Sequence, residues 1–113
     1  MSCDIKVTPD FIRAMKRLAK RYRSFADDLK KLNTSLSENP CQGVDLGNNI
    51  RKVRMAISSK GKGKSGGARV ITYGVVVAET DTELLLLTIY DKSERENISD
   101  GELKAILSAN GLI

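Results

Sequence analysis

The sequence predicts an α+β domain in which a small antiparallel β-sheet packs against an N-terminal helical hairpin, with a short C-terminal helix. Three observations support this fold class. Apolar residues recur at helical spacing through residues 11–36, three later segments read as strands, and Ser99 to Glu102 form a capping box for a last helix. The chain has 113 residues, which suits one core, so we expect residues 1–113 to form a single domain.

Two helices are predicted in the first third of the chain, after a short edge strand over residues 3–7. Thr8 supplies a hydroxyl cap, and a proline follows at the first helical position. Ser24, with an acidic residue three positions later, predicts the capped start of the second helix. Asn39 ends that helix because a residue before proline avoids the helical conformation. The short connection predicts an antiparallel hairpin that covers one face of the sheet.

Three strands are predicted in the second half, joined by local turns as an antiparallel meander. Residues 50–57 alternate apolar and basic side chains, residues 69–79 are rich in β-branched side chains, and residues 83–90 are mostly apolar. Residues 41–49 are rich in turn formers and predict a connector. Residues 58–68 (SSKGKGKSGGA) predict a mobile loop that does not pack. We expect the second face of the sheet to remain open, with Arg54 and Lys92 on it.

The positive charge is concentrated in the first two-thirds of the chain. The net charge is +5, but residues 1–69 carry 16 basic and 6 acidic side chains, whereas residues 70–113 carry 3 and 8. Residues 51–69 contain seven cations and no acid. This density indicates a polyanion or an acidic partner. The alternative is a basic, soluble surface without a ligand.

Composition excludes several classes of protein. Histidine is absent, which excludes an imidazole base and histidine ligands to zinc. The longest apolar runs, 75–78 and 84–87, are too short to span a membrane, and no apolar signal segment opens the chain. The glycine-lysine loop departs from a phosphate-binding P-loop, because Ser58 stands where a glycine is required and a strand follows. We therefore expect a reduced, cytoplasmic protein without metal or cofactor.

Three segments carry a family resemblance: FIRAMKRLAKRY, IRKVRMAISSKGKGKSGGARVITY and LLLLTIYDKSERENIS. With the order of elements, they resemble the RelE/ParE superfamily of type II toxin–antitoxin toxins, in its RelE-like and HigB-like branch. The resemblance implies a ribosome-dependent mRNA endoribonuclease, or mRNA interferase, that needs no metal, enters the ribosomal A site and inhibits translation. It also implies a cognate antitoxin that blocks the toxin, with the ribosome and mRNA as further partners.

The resemblance also implies which residues do the work, on the concave face of the sheet. The expected catalytic residues are Arg54, Arg69, Tyr90 and Lys92, and the expected RNA-binding residues are Lys52, Lys60, Lys62 and Lys64. Guanidinium groups suit the charge that develops on a phosphate during cleavage. A lysine among Lys52, Lys60 and Lys62 would act as base, and Tyr90 would stack on a nucleobase or donate a proton. We expect Glu94 either beside these residues at the mouth of the sheet or in a solvated, salt-paired turn after the last strand.

Two other functions stay open at this point. One is a non-catalytic, ParE-like inhibitor of DNA gyrase, or a degenerate relative that only binds its antitoxin. The other is a basic protein that binds RNA without cutting it. A nuclease would need the basic face of the sheet, whereas a gyrase inhibitor would depend more on the helical hairpin and the C-terminal tail.

Overall fold

Five strands and three α-helices form the fold in the computed structural model, which describes residues 2–61, 63–78 and 81–113. The mixed α+β class predicted from the sequence is confirmed. No helix within these described ranges is long and apolar enough to cross a lipid bilayer. In chain order the elements are β1 (Ser2–Val7), α1 (Pro9–Arg21), α2 (Phe25–Glu38), β2 (Val44–Gly47), β3 (Ile50–Met55), a single 3-10 turn (Ser58–Lys60), β4 (Ala68–Ala78), β5 (Asp81–Asp91) and α3 (Asp100–Ala109).

The strands form one sheet in the order β1-β5-β4-β3-β2. The predicted meander is confirmed, since β3, β4 and β5 pair antiparallel, and β1 joins the edge parallel to β5. The opposite edge differs from the prediction: β2 forms a hairpin with β3 where a connector was expected. Asn48 and Asn49 turn this hairpin with φ values of 53° and 67°, a conformation that asparagine tolerates better than most residues.

The helical hairpin packs on one face of the sheet, as predicted. Thr8 caps α1 by accepting a hydrogen bond from the backbone N–H of Phe11 at 3.0 Å. The helices bury Phe11, Leu18, Phe25, Leu32 and Leu36 against sheet residues that include Val53, Val70, Leu86 and Ile89. Each large apolar side chain removed from water contributes about 1.5–3 kcal/mol, so this layer supplies much of the stability.

The second face of the sheet is partly covered by α3, so the prediction of an open second face is wrong for that part. Ser99 caps α3 by accepting from the N–H of Glu102 at 3.2 Å, which confirms the predicted helix start. Leu103 and Leu107 then pack in a second core with Ile50, Ile71, Leu87, Tyr90 and Ile98. The end of the sheet beyond this core carries the basic residues.

Ser24 begins α2 without the expected cap, because its hydroxyl makes no capping hydrogen bond to the helix. The Ser24 hydroxyl instead donates to Asp28 at 2.8 Å and accepts from the N–H of Ser59 at 2.9 Å. Asp28 is buried and also accepts from the N–H and the hydroxyl of Ser58. These contacts fasten the 3-10 turn to α2.

Gly67 lies where the chain passes closest to β3, and we expect its replacement by alanine to destabilise the fold by about 1–3 kcal/mol. A Cβ at this position would lie 2.1 Å from the backbone oxygen of Met55, so the strands would have to separate. Urea denaturation measures the effect. Gly101→Ala is the control, since the nearest atom to its Cβ would be 3.9 Å away. Equal stability of Gly67→Ala and the parent would contradict the close approach.

Candidate nucleic-acid interface

Arg54, Arg69 and Tyr90 lie side by side in one row across β3, β4 and β5. Arg54 is the register partner of Arg69, which is in turn the partner of Tyr90. Directly paired residues of antiparallel strands project from the same face, so three of the predicted catalytic side chains share one site. Lys52, two positions before Arg54, projects from that same face.

Tyr90 provides a buried hydroxyl that lacks a hydrogen-bond partner among the described residues. The residue is 4% exposed, and the guanidinium of Arg95 lies over its ring at 5.2 Å. Glu102 on α3 holds that guanidinium through an ion pair of 2.5 Å. Burial raises the pKa of Tyr90, although Arg69 and Arg95 partly oppose the rise. The phenol is therefore protonated at neutral pH and has a hydrogen to donate.

Arg69 is a buried cation, 7% exposed, that takes part in none of the described ion pairs. Its guanidinium donates to the backbone oxygens of Lys64, Ser65 and Ala68, each at 3.1 Å. Arg69 thus holds the backbone at Lys64 and Ser65 within the glycine loop, the name we give to the described residues 63–67; these belong to residues 58–68, which were expected not to pack. Because no carboxylate is paired with it, its positive charge is available to an anion at the row.

The turn that follows β5, residues 92–97, brings two of the predicted lysines together: Lys92 belongs to it, and Lys52 of β3 contacts it. The ammonium of Lys92 donates to the backbone oxygen of Glu96 at 3.2 Å, and that of Lys52 reaches the side-chain oxygen of Asn97 at 3.4 Å. Arg95, which covers Tyr90, belongs to the same turn. The structure therefore gathers Lys52, Lys92 and the row around one turn.

The other predicted RNA-binding residues are three lysines, and the two that the structure describes do not belong to the row. Lys60 lies on the opposite face of the sheet, where its ammonium donates to Asp91 at 2.5 Å, to the backbone oxygen of Gly66 at 3.0 Å and to Ser93 at 3.2 Å. Its three hydrogens are thereby committed within the fold. Lys64 is exposed on the glycine loop, and Lys62 lies outside the described residues.

Comparison with known families shows which family the fold belongs to. The family model of the RelE toxin of the RelE / RelB toxin-antitoxin system matches residues 10–112. The chain belongs to the RelE toxin family. It is thus a toxin of the toxin–antitoxin type, and family membership implies an antitoxin partner in general. The row and its flanking lysines all lie within the matched range.

In this RelE-family toxin, Asp91 forms a buried hydrogen-bond network on the face of the sheet opposite the row. Its carboxylate is fully buried and accepts from Lys60, from the hydroxyl of Tyr22, and from both the N–H and the hydroxyl of Ser93. Burial alone would raise the pKa of Asp91, but these hydrogen bonds outweigh it and hold the pKa well below its usual range. Asp91 therefore joins the ends of α1, the 3-10 turn and β5.

Sequence reasoning missed this network and left the place of Glu94 open. Glu94 accepts from Arg17 at 2.9 Å and from Arg21, both on α1, so the expectation that it lies at the mouth of the sheet is wrong. The available signal was a lone acid, Asp91, at the end of the apolar strand LLLLTIY. An acid in that position is buried only if the neighbouring elements supply donors.

The stability of the toxin is expected to fall as the pH drops below about 4, the ordinary pKa of an aspartate. The folded-state pKa of Asp91 is lowered, so its contribution to stability is complete above the unfolded-state pKa and is lost on acidification. Urea denaturation at pH 7, 4 and 3 measures this loss. In Asp91→Asn the fall between pH 7 and 3 should be smaller than in the parent, and equal falls would contradict the assignment.

Proposed function

We propose that this toxin is a ribosome-dependent, metal-independent mRNA endoribonuclease of the cytoplasm, which inhibits translation and is neutralised by a cognate antitoxin. The observation that supports it is the row of Arg54, Arg69 and Tyr90, flanked by Lys52 and Lys92. Two guanidinium groups and an unpaired phenol on one face form a set of donors suited to a phosphodiester.

The proposed reaction needs a base, groups that stabilise negative charge, and an acid. The 2′-hydroxyl of the RNA loses its proton and attacks the adjacent phosphorus, the phosphorane gains negative charge, and the bond to the 5′-oxygen breaks. Arg54 and Arg69 stabilise the charge on the non-bridging oxygens. We assign the proton for the departing 5′-oxygen to Tyr90, whose hydroxyl has no competing acceptor among the described residues. Because that hydroxyl is buried and Arg95 lies over the ring, this role requires the Arg95 guanidinium to move aside when RNA binds. The products are a 2′,3′-cyclic phosphate and a 5′-hydroxyl.

The base that accepts the 2′-hydroxyl proton is best supplied by Lys52. Of the three lysines considered for this role, Lys62 lies outside the described residues, and Lys60 is on the opposite face and donates to Asp91, Gly66 and Ser93. Lys52 is on the same face as the row, and its only described hydrogen bond is the long one, 3.4 Å, to Asn97. We assign Lys92 to a neighbouring phosphate of the strand, which would replace its long, 3.9 Å ion pair with the exposed Glu96.

The test is to add the purified full-length toxin to ribosomes programmed with a defined mRNA and to map cuts by primer extension. We expect cuts confined to the A-site codon, unchanged by EDTA, with cyclic-phosphate ends. The same toxin is assayed for inhibition of gyrase supercoiling. Intact mRNA together with blocked supercoiling would replace this proposal with the ParE-like alternative, and RNA binding without cuts would favour the non-catalytic one.

A further inference from the structure

A cavity of about 240 Å³ opens between α2, the end of β3 and the glycine loop. We propose that it binds a single nucleotide of the RNA strand, with the phosphate against cationic residues and the base against an apolar floor. This inference rests on the proposed function for its biological role, and it assigns a second subsite beside the row. Arg54 belongs to both, since it stands in the row and lines the cavity.

The cavity has an excess of positive charge. Lys31, Arg54 and Lys64 line it, and none of them takes part in a described ion pair. The acidic residue of the lining is Asp28, which is buried and accepts hydrogen bonds from Ser24 and Ser58. Three cationic residues against one internally bonded carboxylate favour an anion such as a phosphate.

The rest of the lining suits a nucleobase. Leu32, Met55 and Ala56 give an apolar surface, against which a flat ring can pack. The side-chain nitrogen of Gln42 donates to the hydroxyl of Ser35 at 2.9 Å and to the backbone oxygen of Asn39 at 3.1 Å. Because that nitrogen must face the Asn39 carbonyl, the Gln42 oxygen is the atom left to accept from a ligand. An acceptor there fits a base with an exocyclic amino group.

Part of the sheet edge beside this subsite is left uncovered by β2. β2 pairs with β3 only at Ile50, Arg51 and Lys52, so the outer edge of β3 from Val53 onward is not covered by β2. Met55, at the end of that uncovered stretch, and Ala56, just after the strand, line the cavity. A strand of RNA that crosses the row from Tyr90 to Arg54 reaches this edge next, which places the neighbouring nucleotide in the cavity.

The experiment is a titration of the full-length toxin, labelled at its methionine methyl groups, with AMP, UMP and inorganic phosphate, followed by NMR. We expect AMP to shift the Met55 methyl signal and to bind several-fold more tightly than UMP or phosphate. Lys31→Gln/Lys64→Gln should weaken AMP binding by about tenfold or more, equivalent to about 1.4 kcal/mol. Both lysines are exposed, so the double variant should fold normally.

The matched control is Lys30→Gln/Lys104→Gln, which removes the same charge from exposed helix positions away from the cavity lining. Equal weakening in the control, an unmoved Met55 signal, or phosphate that binds as tightly as AMP would each overturn the subsite. Equal binding of AMP and UMP would overturn the role of Gln42. AMP binding by a toxin that leaves mRNA intact would reject the nuclease and keep the subsite, whereas mRNA cleavage without any Met55 shift would reject only the subsite.

Discussion

Asp91→Ala is expected to lower the free energy of unfolding by about 3–5 kcal/mol, the usual cost of removing one partner of a buried ion pair. The substitution leaves the ammonium of Lys60, whose side chain is 11% exposed, without its counter-charge. It also removes the acceptor of the Tyr22 hydroxyl and of Ser93. Urea denaturation monitored by circular dichroism measures the change.

The control for this prediction is Glu83→Ala, which breaks the exposed ion pair between Lys6 and Glu83. Exposed pairs contribute less than about 1 kcal/mol, so this variant should unfold near the parent midpoint. A loss for Asp91→Ala no larger than that of Glu83→Ala would show that the buried network does not stabilise the fold. Such a result would also remove the reason for the acid sensitivity described above.

Arg54→Ala is expected to reduce mRNA cleavage by about 10²–10³-fold, the effect of deleting one donor that stabilises a developing negative charge. Arg54 is exposed, and no hydrogen bond or ion pair is described for its side chain, so the fold should be unaffected. Single-turnover cleavage on programmed ribosomes measures the loss. Arg54→Lys should recover only part of the activity, because an ammonium lacks the planar fork of donors.

Arg23→Ala is the matched control, since Arg23 is an exposed arginine in the connection between the two hairpin helices and is not part of the row. It should cut mRNA at nearly the parent rate. If Arg54→Ala also retains the parent rate, Arg54 is not part of the catalytic site. Arg69→Ala is a less clean test of the row, because it also removes the hydrogen bonds to Lys64 and Ser65 and so disturbs the glycine loop.

Local signals explain which elements could be predicted from the sequence. The caps at Thr8 and Ser99 and the apolar spacing of each helix depend on neighbouring residues, and these predictions are confirmed. Alternation predicted the face that Arg54 occupies, and the meander predicted that adjacent strands come together. That Arg69 and Tyr90 share a site with Arg54 was implied by the family resemblance. β2 was missed because all four of its residues are exposed. A strand with no buried side needs no alternation of apolar and polar residues, so its sequence carries no strand pattern.

The environment of Lys60 depends on contacts between distant segments, and this is why it could not be predicted. In the sequence Lys60, Lys62 and Lys64 look alike, as lysines spaced by glycine. The 3-10 turn Ser58–Lys60 directs the first of them to Asp91, 31 positions further along the chain. Only the folded arrangement of the helix end, turn and strand separates an internal lysine from a surface one.

The double attachment of Arg69 links ligand binding to the rigidity of the adjoining backbone at Lys64 and Ser65. The same guanidinium faces the row and secures the backbone oxygens of Lys64 and Ser65. An anion that draws on those donors competes with the segment they secure, and the two equilibria are thermodynamically reciprocal. An anion that takes these donors would therefore loosen the backbone at Lys64 and Ser65, and a partner that held that backbone against Arg69 would weaken anion binding by the same factor.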